Sequence, residues 1–120
     1  MRAVTAILLS LALPLCAAEK KASRSKLDEQ IRAAEAAFQR GDAEGALRTA
    51  GAAVKDHPDS VRARYFRSEL YSTMKQYGPA VADLTAAIKL QPGVPDLYQA
   101  RGVAHFRNVD MEAAIKDWDE

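Results

Sequence analysis

Two histidines, one cysteine and a closing run of acids are the residues of this 120-residue chain that chemistry would most readily use. His57 stands in the loop-like stretch KDHPDS and His105 in the helical stretch AHFRN. Neither has an acid or a second histidine at the spacing that puts metal ligands on one helical face. His57 is expected to be a solvated loop residue, and His105 to fill a partly buried structural place. Residues 117–120, DWDE, gather three acids around Trp118, which fits a core position and leaves the acids to solvent. No G-x-S-x-G, glycine-rich phosphate loop or H-E-x-x-H occurs. Without a nucleophile–base pair, a ligand set or a phosphate cradle, the sequence predicts no enzyme, no metal site and no cofactor.

The elements that would carry these residues come from a repeat. Residues 27–60, 61–94 and 95–120 lie over one another in a single register, the last row incomplete. Ala46, Ala80 and Ala114 share one column, Ala53 and Ala87 a second, and Pro58 and Pro92 close the first two rows. Each row reads as a helix, a turn (RGDAEG, KQYGP, RNVD), a second helix and a loop. Self-similarity at a 34-residue period is the mark of a helical solenoid. The expected class is all-α: a right-handed solenoid of antiparallel helix pairs, two full repeats and a truncated third. Helices are expected near 26–40, 43–56, 60–75, 79–90, 95–107 and from 111 onward.

Local chemistry supports these bounds. Ser25 with Asp28 three residues on makes a capping box, and Asp42 and Asp110 can each cap a second helix. Pro79 and Pro95 fall at helix starts, where a missing N–H costs little, while Pro58 and Pro92 follow helices they cannot continue. Small alanines alternate with Leu47, Val81, Ile115, Val54 and Ile88, a pattern that lets paired helices approach closely. Arg67 and Asp83 hold the seventh and twenty-third places of row two, and Arg101 and Asp117 those of row three. Row one has Ala33 and Thr49 there, so the charges come and go together, as partners in an ion pair between the two helices of a unit would.

The N-terminus has a different logic. Arg2 precedes an apolar run from Ala3 to Leu15, followed by small residues at Cys16, Ala17 and Ala18. This is the order of a secretory signal, with cleavage expected after Ala18. The run is about 13 residues, short of the roughly 20 a spanning helix needs. LPLC resembles the acylation motif of bacterial lipoproteins, with Leu13 three residues before Cys16, but Leu15 departs from the small residue usual just before the cysteine. Acylation of Cys16 is therefore the second reading, and the only one that brings a membrane as partner. Loss of residues 1–18 removes the single cysteine, and with it any disulfide or thiol chemistry. It also removes Arg2, changing Lys plus Arg from 17 to 16 against 16 Asp plus Glu. A neutral chain lacks the basic face that binding nucleic acid requires. Residues 19–26, EKKASRSK, read as a flexible polar tether to the repeat domain at 27–120.

The repeat resembles the tetratricopeptide repeat, with alanine at the twentieth and twenty-seventh places and proline at the thirty-second. The small eighth place is met by Ala34, Ser68 and Gly102; the aromatic eleventh by Tyr71 but not Ala37 or His105; the large fourth by Tyr98 but not Gln30 or Arg64. The resemblance implies that the first helices line a concave groove for an extended peptide or partner helix. The places facing it are Asp28, Ile31, Arg32, Glu35, Phe38 and Gln39, then Arg62, Tyr65, Phe66, Glu69, Ser72 and Thr73, then Asp96, Gln99, Ala100, Val103, Phe106 and Arg107. Arg32, Glu35, Arg62, Tyr65, Phe66, Glu69, Gln99, Val103 and Arg107 are the candidate site, while Phe38 and Phe106 are equally placed to pack between units. The Lys–Asn pairs and Arg that clamp chaperone tails in this family are replaced by Ile31, Glu35, Phe66, Asp96 and Ala100.

The implied function is an exported adaptor or scaffold, periplasmic or secreted, that binds a protein or peptide segment. The rival reading is the recruiting arm of a longer regulatory or enzymatic protein cut at residue 120. Row three stops inside its second helix, leaving Ile115 and Trp118 under-covered. A fragment of a longer array is expected, with self-association through that edge, or fraying, as the alternatives.

Overall fold

The computed structural model describes residues 2–119, with side chains described for 18–116. Five helices follow one another: α1 (Arg2–Gln39), α2 (Ala43–Asp56), α3 (Val61–Thr73), α4 (Tyr77–Leu90) and α5 (Pro95–Asp119). Each packs mainly on its neighbours in sequence, α1 on α2, α2 on α3, α3 on α4 and α4 on α5. This is the all-α repeat architecture expected. Among the described residues, no helix is long and apolar enough to cross a membrane.

The helix ends follow from specific residues. Asp42 caps α2 by accepting the Gly45 N–H at 2.9 Å, and Ser60 caps α3 by accepting that of Ala63 at 3.1 Å. The ends of α1 and α3 are built alike. Asp42 N–H donates to the Ala37 carbonyl at 2.9 Å and Gly41 N–H to that of Phe38 at 3.0 Å. Gln76 N–H donates to the Tyr71 carbonyl at 2.8 Å and Lys75 N–H to that of Ser72 at 3.0 Å. Both are Schellman turns, whose penultimate residue must be left-handed: Gly41 has φ 85° and Lys75 φ 60°. Pro79 lies in the first turn of α4, where helix N–H groups have no carbonyl to reach.

Three expected boundaries are corrected. α1 already runs through 19–26, so the expected tether is helical and Ser25 is an exposed interior residue instead of a cap. The reason is composition: Glu, Lys, Ala and Arg dominate this stretch, with neither Gly nor Pro between 15 and 40. α4 starts two residues early. α5 passes straight through 107–110, so Asp110 caps nothing, and Ala114 and Ile115 are exposed. Val109 occupies the place of Gly41 and Lys75, one repeat on. A β-branched residue strongly resists positive φ, so the turn that ends α1 and α3 does not form.

The core is a series of small clusters between adjacent helices. Leu27, Ile31, Ala53, Val54 and Ala63 form one, and Ala37, Ala46, Ala50 and Leu70 a second, with Phe66 packed against both. Ala80, Leu84, Ala87, Ile88, Leu97 and Ala104 form the third. Ala46, Ala80, Ala53 and Ala87 are buried as the columns required. The expected inter-helix ion pair is present in row two. Arg67 donates through Nε and Nη2 to the two oxygens of buried Asp83, at 2.7 and 2.6 Å. Asp117, Trp118 and the Cys16 side chain lie outside the described side chains.

Candidate functional site

α3 and α5, the first helices of rows two and three, stand side by side over α4. Between them lies an open groove of about 610 Å³. Tyr65, Glu69 and Ser72 face it from α3; Asp96, Gln99, Val103 and Arg107 from α5; Tyr77 and Leu84 of α4 form its floor. Spacing explains the selection, since residues three or four apart share one side of a helix. The hydroxyls on this wall are already partly committed: Ser68 Oγ donates to the Tyr65 carbonyl at 2.6 Å, and Thr73 Oγ1 to that of Glu69 at 2.9 Å. The Tyr65 phenol is pushed up from its ordinary pKa, first by burial and then by the carboxylates of Glu69 and Asp96. A smaller hollow of about 380 Å³ continues past Tyr65 and Asp96 toward Val61 and Val94.

Of the candidate residues, the structure brings Tyr65, Glu69, Gln99, Val103 and Arg107 together in this groove. Arg62 lines the smaller hollow and is ion-paired to Asp28 of α1. Arg32 and Glu35 are exposed on α1 but do not line the groove. Phe66 is withdrawn: it packs into the two clusters between α1, α2 and α3. Ile31 is likewise buried and Phe38 half-buried in the core, while Phe106 is 69% exposed. Tyr77 and Leu84 come from a second helix and so lie outside the first-helix places that spacing marks; the large residue opening that helix is the one signal for them in the sequence.

The histidines also differ from expectation. His57 is half-buried, its Nδ1 3.3 Å from Ser23 Oγ and its Nε2 3.1 Å from Gln30 Oε1. Those partners exist because α1 extends far enough to lie over the α2–α3 loop. Gln30 also donates to Asp56 at 2.8 Å, and with Lys26 it holds that carboxyl below its ordinary pKa. His105 is exposed on α5. Among the described residues, no group of three His, Cys, Asp or Glu converges to hold a metal.

The comparisons agree with this fold. A search of curated proteins finds no match. By fold the chain is similar to "First TPR of Spaghetti (RPAP3) bound to HSP90 peptide SRMEEVD", with 22% identity and a TM-score of 0.64 over 79% of this chain and 77% of that one. The tetratricopeptide repeat family matches at residues 31–73 and again at 73–120. Those two matches meet end to end over most of the chain and run through every helix described above, so this protein belongs to the tetratricopeptide repeat family.

Proposed function

We propose that this protein is a non-enzymatic adaptor that binds a peptide or protein segment in the groove between α3 and α5. The observation that carries the reading is the groove itself: an aromatic ring and Val103 set among carboxylates, an amide and a guanidinium, over an apolar floor. An apolar anchor with polar guides suits an extended segment, which offers alternating side chains and unpaired backbone groups. The solved structure of similar fold holds a peptide, which supports the reading. The N-terminal order of cation, apolar run and small residues supports export, to a periplasmic or extracellular space, with acylation at Cys16 as the membrane-attached form.

The test has two parts. Val103→Glu places a charge in the groove, and Ala82→Glu places one on an exposed site of α4 away from it. Partners captured by the wild type and by Ala82→Glu, but lost with Val103→Glu, are expected; equal capture by all three removes the groove as the site. Intact mass of the protein from soluble and membrane fractions is expected to show loss of residues 1–18. An unprocessed N-terminus in both fractions removes export.

A further inference from the structure

We infer that the α3–α5 groove receives a cationic segment: a Lys or Arg of the partner enters beside Tyr65, its charge between Glu69 and Asp96. This deepens the groove reading above and rests on it. α3 carries three arginines, and each is already paired with a carboxylate of another element: Arg62 with Asp28, and Arg64 and Arg67 with Asp83. The ion pairs among the described residues leave out Glu69 and Asp96, which both line the groove. The Tyr65 end therefore holds two carboxylates outside these ion pairs, while Arg62, which lines the adjoining hollow, is engaged by Asp28.

Glu69 and Asp96 line the same groove as Tyr65, and both carboxylates help raise the Tyr65 phenol's pKa. A ring flanked by two carboxylates is an arrangement that selects a cation. The aromatic face attracts a positive charge, and carboxylates form their strongest hydrogen bonds with ammonium or guanidinium donors. The aliphatic stem of the entering residue would lie on Ala100 and Val103. An acidic segment would meet like charge at this end, a repulsion that discriminates as effectively as the attraction. Arg107, the cation lining the groove, sits 11 positions after Asp96 on α5, about 16 Å away at about 1.5 Å per residue. A carboxylate about five extended residues from the partner's cation would reach it.

The full chain is titrated, by fluorescence anisotropy, with labelled heptapeptides of Gly, Ser and Leu that carry two lysines, two glutamates or neither. The lysine set is expected to bind tightest. Glu69→Gln and Asp96→Asn should each weaken it about two- to fivefold, and salt should erode its advantage. Tyr65→Leu, which keeps an apolar side chain but removes the ring, should weaken the lysine set more than the neutral set. Circular dichroism checks that each variant stays folded. Equal or tighter binding of the glutamate set, abolished by Val103→Glu, overturns the cation assignment and leaves the groove standing. Binding of the neutral or glutamate set that persists in Val103→Glu, or no binding of any set at millimolar concentration, overturns the groove reading as well.

Discussion

Asp83 is 3% exposed and takes Arg67 through both oxygens, with Arg64 a further 3.6 Å contact. Asp83→Ala strands two guanidinium groups beside the core and is expected to destabilise the protein by about 2–3 kcal/mol in urea unfolding, the lower end for a partly exposed pair. A double-mutant cycle with Arg67→Ala should return clear coupling; zero coupling would remove the pair as a stabilising contact. Acid acts on a different residue. Asp56 has its pKa lowered, so its contribution is present above the ordinary aspartate range and fades as pH falls through the depressed native value. An NMR titration should show its inflection below that range, and Gln30→Ala should move it back up. Arg67, whose pKa is raised by its bond to Asp83, keeps its contribution until pH climbs beyond any practical value. The Arg67–Asp83 pair was legible in the sequence because both charges recur together at one period. The Asp56–Gln30–His57 network was not, because it depends on how far α1 extends, and no periodic signal carries that.

Among the elements, the fifteenth place of each row decides where the first helix stops. Gly41 accepts left-handed geometry freely, Lys75 adopts it at a cost, and Val109 does not adopt it. Lys75→Gly should stabilise the protein by about 1 kcal/mol, the strain a side chain brings to that conformation. Thermal unfolding measures it, and no gain would mean that Lys75 is compensated elsewhere. Val109→Gly should let α5 break, so that residues 111–119 fold back and cover Ala114 and Ile115. Spin labels at positions 98 and 116 should then approach from the roughly 27 Å that 18 residues of straight helix span. An unchanged distance would show that more than Val109 holds the helix straight. The turn expected at RNVD rested on polar composition. Composition located the turns after α1 and α3 correctly, but says nothing about which residue can take positive φ.

At the scale of the molecule, helices touch mainly their sequence neighbours, so stability is shared between adjacent hairpins and is lowest where a neighbour is missing. Hydrogen exchange should be slowest in α3 and α4, which are packed on both sides, and fastest in α5 beyond Arg107. Uniform protection along α5 would contradict this. The groove lies between α3 and α5, so residues of rows two and three were found from spacing, while between α1 and α3 Phe66 packs into the core and Arg32 and Glu35 of row one fall outside the groove. One feature of α1 bears on how the groove is presented. Its outer turns are braced against the next hairpin, Ser23 to His57 at 3.3 Å and Lys26 to Asp56 at 3.5 Å. A leash averages over every direction, whereas a braced rod has one bearing. Whatever adjoins those outer turns is held at a set angle to the groove, so the fold specifies the direction from which a partner is met as well as its nearness.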